Sequence, residues 1–386
     1  MTAQTVSKTS GRLVSLDVFR GATVAGMMMV NNPGSWSCIY PPFRHAAWNG
    51  WTFTDLIFPF FLWIVGMAMT LSFSKRVEQG ADREQLLLHA LRRAAIIFAV
   101  GLFLSGFPFG LLFGHHFSWA MIRIPGVLQR IAVCYFTASL IVLYSNITWQ
   151  VRWTAILLVV YWLLAKLVPV PGFGAGVLEP RGSLAWYIDS ILLSGHTWSG
   201  APVPGFDPEG ILSTLPAIAT TMFGVLTGHF LRSERTPEEK TAWMFIYGNA
   251  LLFVGLLMDN WLPINKNLWT TSYSVFMAGM ALNIFAFCYW LIDVKGHKKW
   301  AKPFQIYGLN AITMFALAGL IGRLTAIIKV TGPEGTPITF QSFYYNLLFA
   351  PVGDPMVASF LHSVAFMVAL YLIAYAMYRF NVIIKV

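Results

Sequence analysis

Ten apolar runs, each near the roughly 20 residues that a helix needs to cross a bilayer, recur along the whole of this 386-residue chain. They lie near 16–36, 54–74, 92–113, 127–145, 150–170, 211–231, 241–260, 268–293, 304–328 and 356–379. Few show the alternation of a barrel strand. The expected fold is therefore an all-α polytopic membrane protein of about ten transmembrane helices, one integral-membrane domain over residues 1–386. The third run, interrupted by GFPFG at 106–110, is the least regular. Composition agrees: 57% of residues are hydrophobic and only 11% charged, against about 25% in soluble domains. Aromatic residues make up 16%, with 15 Trp, as interfacial belts on many helices require.

Loop charge orients the chain. With the N-terminus inside, seventeen Lys and Arg fall in inner segments and six in outer ones. Arg20, Arg130 and Arg323 fall within helices. By the positive-inside rule both termini are expected in the cytoplasm. The formal net charge of +10 is then topogenic, so the lipid bilayer is the expected partner and nucleic acid is not. No cleavable signal peptide is expected, because MTAQTVSKTSGRLVSLD lacks an apolar core and a cleavage site. Cys38, Cys134 and Cys288 are far apart and lack metal-ligand spacing, which supports neither a disulfide framework nor a metal site. Outer segments are rich in Pro, Gly and aromatics, and the longest joins helices five and six. A loop of that length is more often functional than idle. Within it, SLAWYIDSILL reads as a short amphipathic helix on the surface.

Several polar residues need an explanation. His45, in an outer loop, is either an interfacial histidine that only hydrogen-bonds or a general base working near neutral pH. Asn31 is either part of a helix C-cap with Asn32 before Pro33, or an amide seeking a partner at the outer end of helix one. Asp55 is either the first-turn acid of helix two, with Thr54 as cap, or the group that orients His45. Arg20 is either an i,i+3 partner of Asp17 or a cationic anchor for a phosphate-bearing ligand. Arg92 and Arg93 would join that anchor or simply mark the inner side. Arg130 and Arg323 are expected to pair with acids such as Asp207 or Glu209. FDPEG (206–210) and NKN (265–267) supply Asp207, Glu209, Asn265, Lys266 and Asn267. Such groups suit sugar hydroxyls and an amine, although FDPEG also reads as a turn and cap. Trp48 and Trp51 form a sugar-stacking rim or a membrane belt.

The phrases RLVSLDVFRG, MMMVNN and HAAWNGWTFTDLIFPFFLWIVG resemble the heparan-α-glucosaminide N-acetyltransferase family of transmembrane acyltransferases. IRIPGVLQRIAVCYF, WYIDSILL, FDPEGILSTLPAIATTMFGVLTGHFL, PINKNLWTTSY and YGLNAITMF follow in the same order. The resemblance spans helices one to nine, and several long motifs in one order are far more specific than a short consensus. It implies acetyl transfer from cytosolic acetyl-CoA, across the membrane, to the amine of a glucosamine-type sugar or glycan acceptor. The family's essential histidine falls on His45, and its supporting asparagine on Asn31. The outer loop between them is longer here than in the family, which leaves Asn31 and Asn32 as alternatives. Animal members carry a further N-terminal helix and a lumenal region not found in this sequence. The bacterial branch is therefore expected, in the inner membrane, with the site opening to the periplasm. A homodimer is implied by the resemblance alone.

The implied mechanism holds CoA phosphates at Arg20, Arg92 and Arg93 and brings the thioester to Asn31 and His45. His45 would take the amine proton, Asn31 would stabilise the oxyanion, and Asp55 would hold the imidazole. Direct transfer and a ping-pong path through acetyl-His45 both stay open. Two other classes remain. One is an O-acyltransferase of a cell-envelope glycan. The other is an amino-sugar transporter, against which the lack of a clear internal repeat weighs.

Overall fold

A computed structural model describes residues 13–111, 117–332 and 335–384. Thirteen helices carry the described chain: α1 (Val14–Asn31), α2 (Phe53–Glu78), α3 (Arg83–Gly106), α4 (Val127–Tyr144), α5 (Ile147–Leu167), α6 (Leu184–Leu192), α7 (Thr214–Leu231), α8 (Pro237–Asp259), α9 (Thr271–Tyr289), α10 (Lys302–Leu309), α11 (Ala311–Ile327), α12 (Phe340–Leu348) and α13 (Pro355–Arg379). A two-stranded antiparallel ribbon, β1 (Lys329–Thr331) with β2 (Pro337–Thr339), sits between α11 and α12, with Val330 opposite Ile338.

Local chemistry sets many of the helix starts. Asn146, Ser183 and Thr270 accept backbone N–H groups three residues on, at the heads of α5, α6 and α9. Thr236 and Glu239 form a capping box at α8, with Pro237 at its first position. Each side chain satisfies donors that a helix terminus leaves open.

The chain is an all-α integral membrane protein. Among the described residues eight helices are long and apolar enough to cross a bilayer, and α10 with α11 makes a ninth if that bent pair is one span. All ten expected segments fall on helices. The first, α1, is not among the eight; it carries Asp17 and Arg20 in its first half. The ninth expected segment, 304–328, is not one straight helix but turns by 82° at Asn310. There the Asn310 amide donates to Val382 O at 3.0 Å and accepts from Ile384 N at 2.9 Å. The expected surface helix 183–193 is α6, with Leu184, Ala185 and Asp189 buried. Of the inner basic residues, Lys8, Arg12 and Lys385 lie outside the described residues, as does the end of the third expected segment.

The interior is centred on α2, α7 and α9, where Leu62, Trp63, Met67, Met222 and Phe285 are fully buried. Leu163 on α5, Phe253 on α8 and Leu372 on α13 are exposed apolar residues suited to lipid. Helices α2 and α7 run side by side in the same direction, and glycine lets them touch. A Cβ on Gly66 would sit 1.9 Å from Thr221 O, and one on Gly224 1.9 Å from Trp63 O. Small residues at such crossings allow the close backbone approach that drives association in lipid. The far ends of the pair are joined by the Glu78–Arg232 ion pair.

Gly224→Val should force these helices apart. Overpacking of this kind costs about 1–3 kcal/mol, so the thermal midpoint in detergent should fall by several degrees. An unchanged midpoint would contradict the described crossing.

Candidate active site

Asp55 organises the mouth of α2. Its Oδ2 accepts the backbone N–H of Thr52 at 3.0 Å and of Ala46 at 3.0 Å, together with the Thr52 hydroxyl at 3.1 Å. Thr52 and Asp55 thereby form a capping box, with Thr52 rather than Thr54 at the cap position. The other oxygen, Oδ1, lies 2.6 Å from His45 Nδ1. The carboxylate is 1% exposed, whereas the imidazole is 50% exposed. An ionised carboxylate only accepts, so Nδ1 carries the proton and the Nε2 lone pair faces away from Asp55. One side chain thus caps the helix and holds the histidine. From α9, buried Tyr273 donates its hydroxyl to the Asp55 carbonyl at 2.6 Å.

Lys266 closes over the imidazole, with Nζ at 3.2 Å from Nδ1 and 3.3 Å from Nε2. It also lies 3.9 Å from Asp55 Oδ1 and is 17% exposed. Asn265, fully buried, fixes the lysine's loop. Its amide donates to Asn49 Oδ1 at 3.1 Å and accepts from Leu268 N at 2.8 Å. Gly50 N donates to Ile264 O at 2.7 Å, tying that loop to the segment that carries His45. Asn265 is therefore a scaffold for Lys266. The NKN loop ends at Trp269, which is buried in a left-handed backbone conformation (φ 49°) and donates its indole N–H to Thr220 Oγ1 at 3.2 Å. Burial pushes the Lys266 ammonium below the ordinary lysine range. Asp55 and Glu209 oppose that shift, while Arg130 and Arg123 add to it.

Beside this group Arg123 holds two acids. Its Nε donates to Asp207 Oδ2 at 2.8 Å and its Nη2 to Asp207 Oδ1 at 2.6 Å, and Nη2 also meets Glu209. The expected partners Arg130 and Arg323 make neither of these pairs. Arg123, at the head of IRIPGVLQR, lies closer in the fold and presents a planar fork to both carboxylates. Arg130, 2% exposed, instead donates to Gly210 O at 3.0 Å and to Ser213, and lies over the Trp269 ring at 5.2 Å. Burial pushes the Glu209 carboxyl up, but Arg123, Arg130 and Lys266 outweigh it and hold the group below the usual range. Asp189 on α6 differs. Burial drives its carboxyl up to about 7, its Oδ1 accepts Ile211 N at 3.0 Å, and its Oδ2 has no partner.

A cavity of about 390 Å³ opens next to this cluster, between the outer end of α1, α3, the head of α4, and α11–α13. Its wall includes Asn31, Arg123, Gln129, Arg323, Tyr344 and His362. Asn31 is an exposed side chain facing this space, and its neighbour Asn32 bonds back to Met28 O at 3.0 Å. His45 is not in the wall, so Arg123 belongs to both neighbourhoods. Trp48 is half-buried, donating to Leu178 O at 2.9 Å and packed edge-on against Phe206. That makes it part of the outer-loop core, whereas Trp51 packs on Phe276. Asn267 is half-buried beside Lys266.

The three inner arginines lie elsewhere. Arg20 bonds Asp17 at 3.2 Å and Gly308 O at 3.4 Å. It sits eleven residues before Asn31 on α1, roughly 16 Å along the helix. Arg92 is exposed, and the Arg93 guanidinium lies over Tyr135 at 5.0 Å. Arg20 lies in the first half of α1 and Arg92 and Arg93 near the middle of α3, while both helices line the cavity with their last turns. Among the described residues no three His, Cys, Asp or Glu side chains converge as a metal-ligand set.

A sequence model of the family described as heparan-alpha-glucosaminide N-acetyltransferase, catalytic, matches residues 12–257. Heparan-alpha-glucosaminide N-acetyltransferase of Homo sapiens is 32% identical over 356 residues, covering 79% of this chain and 52% of the human protein. The Mus musculus protein of that name is 30% identical over 363 residues, covering 81% of this chain and 54% of its own. The chain spans about half the length of the curated relatives it matches. The family match contains His45, Asp55, Arg123, Asp207 and Glu209 and ends within α8, before Lys266.

Asp189 generates a pH dependence. Its folded-state pKa, about 7, exceeds the unfolded value of about 3.9. The folded protein therefore retains a proton that the unfolded chain releases, and stability should decline as pH rises through that window. Asp189→Asn, which cannot ionise, should flatten this slope and raise the thermal midpoint at pH 8 relative to wild type. Parallel pH profiles for the two proteins would refute the assignment.

Proposed function

The chain belongs to the heparan-alpha-glucosaminide N-acetyltransferase family, and on that premise we propose that it acetylates an amine of a glucosamine-type sugar with acetyl-CoA as donor. The observation that carries this reading is the His45–Asp55 pair. A half-exposed imidazole is anchored at Nδ1 by a buried carboxylate, and its Nε2, 3.3 Å from Lys266 Nζ, is the nitrogen that would accept a proton once the lysine gives way.

In the proposed reaction the acceptor nitrogen attacks the thioester carbonyl carbon and its proton passes to His45 Nε2. Asp55 stabilises the imidazolium that forms and keeps the ring in its tautomer. Asn31, or the Lys266 ammonium, stabilises the oxyanion of the tetrahedral intermediate. The C–S bond then breaks, and the thiolate of CoA recovers the proton from His45. Glu209 and Asp207, organised by Arg123, form the floor beside Lys266, and Asn265 holds the lysine's loop. Asn267 completes the acceptor side, with Trp48 supporting it from the outer-loop core.

The helices suggest how the donor reaches this point. Because α1 and α3 join Arg20, Arg92 and Arg93 to the cavity, the pantetheine arm would run between them while phosphate stays near those cations. The Lys and Arg distribution favours cytoplasmic termini and a site facing the periplasm of a bacterial inner membrane. A homodimer is proposed from the family resemblance. One observation favours transport of an amino sugar instead: the break between α10 and α11, since broken helices are common in transporters.

Purified protein should release CoA and form N-acetylglucosamine when given acetyl-CoA and glucosamine. His45→Ala, with its size-exclusion profile unchanged, should lose about 10²–10⁴-fold in turnover. Sugar uptake by proteoliposomes without CoA consumption, or wild-type turnover in His45→Ala, would overturn the reading. Radiolabelled acetyl trapped on the protein without acceptor would assign the ping-pong path.

A further inference from the structure

The cavity beside the Asp55 cluster carries two guanidiniums, Arg123 and Arg323, and no carboxylate among the described residues of its wall. Arg123 is neutralised by Asp207 and Glu209. Arg323 is not. Its Nη1 donates to Gly319 O at 3.2 Å, one turn back in α11, and among the described residues no acid pairs with it. The charged group that acts on it is Arg123, a second cation. An arginine in a membrane-spanning helix is costly unless something compensates it, and such residues face cavities that serve a pathway.

The rest of the wall supplies neutral hydrogen-bonding groups. Asn31, Gln129 and Gln341 contribute amides and Thr325 a hydroxyl. His362 is engaged on both sides, with Nδ1 at 3.3 Å from Asn32 O and Nε2 at 2.8 Å from the Tyr344 hydroxyl. A carbonyl at Nδ1 fixes the proton there, so Nε2 accepts from Tyr344 as a neutral ring does. The imidazole therefore braces the end of α1 rather than competing for a ligand. Among the described residues that leaves one uncompensated cation in a space of about 390 Å³, within the roughly 300–1,000 Å³ usual for small-molecule sites.

We propose that Arg323 makes this cavity an oxyanion subsite. It takes a phosphate, sulfate or carboxylate borne by one of the two substrates, flanked by the Asn31 amide and by the second N–H of Gln341, whose Nε2 also donates to Pro33 O at 3.3 Å. A guanidinium matches such groups through two parallel N–H bonds. The choice of substrates rests on the acetyl-transfer reading, whereas the subsite rests on the cavity and its arginine. Two sources present the same chemistry: an acidic substituent on the acceptor sugar, and the phosphates of a donor bound opposite to the path proposed above.

Equilibrium binding to the purified full-length protein separates them. Acetyl-CoA is compared with S-acetylpantetheine, which lacks the phosphates, and glucosamine 6-sulfate with glucosamine. In the wild type the anionic member of one pair should bind tighter by about ten-fold or more, the scale of a charge-assisted bond. Arg323→Gln should shrink that gap while leaving affinity for the uncharged member, or for glucosamine, unchanged. The pair that responds names the source. Arg323→Met, apolar and suited to a membrane helix, gives the same reading if the Gln variant does not fold. Gaps unchanged in both pairs, or no anion preference in the wild type, overturn the subsite. Because binding is measured without turnover, Arg323-dependent anion preference in a protein that transfers no acetyl group would refute only the proposed activity.

Discussion

The candidate site depends on one buried carboxylate. Asp55 accepts two backbone N–H groups and a hydroxyl on one oxygen, and the His45 imidazole on the other. A helix start, a loop end and a titratable ring are thus tied to a single side chain at the membrane boundary. The energy of this arrangement comes from satisfying a charge that is out of water. An unpaired ionised carboxylate there would be far too costly to retain. Moving any one partner therefore disturbs the others, so the helix start, the loop and the ring hold one another in place.

The sequence reveals the helices because apolar length is a local property. It also shows that His45 and Asp55 share a short segment. It offers two readings of Asp55, as cap and as partner of the ring, and the structure has both bonds at once. What stays hidden depends on distant residues. Lys266 meets a ring 221 positions away, and Asn310 bends its helix by bonding to backbone groups 72 and 74 residues later. Neither contact leaves a local pattern.

The acids and their cation illustrate the same limit. Asp207 and Glu209 invite a pairing with the arginines already inside helices, Arg130 and Arg323. Arg123 lies between two of the expected helices and carries no local sign of its partners. Its position immediately before the head of α4 lets it reach both carboxylates, while Arg130 turns to a carbonyl, a hydroxyl and an indole face. Arg123 lies inside a motif that carries the family resemblance, and that was the available signal. Trp48 likewise reads as a rim residue, yet a single N–H bond to Leu178 O draws it into the outer-loop core.

Lys266 has a consequence of its own. Under the proposed activity, a site that acetylates amines would hold a rival acceptor in Lys266, a part-buried lysine set against the His45 ring. Burial favours the neutral, nucleophilic form of that amine, while Asp55 and Glu209 favour the unreactive ammonium. Those carboxylates would then guard the catalyst against its own chemistry. The acids nearest the base would preserve the enzyme from self-modification as well as assist its substrate.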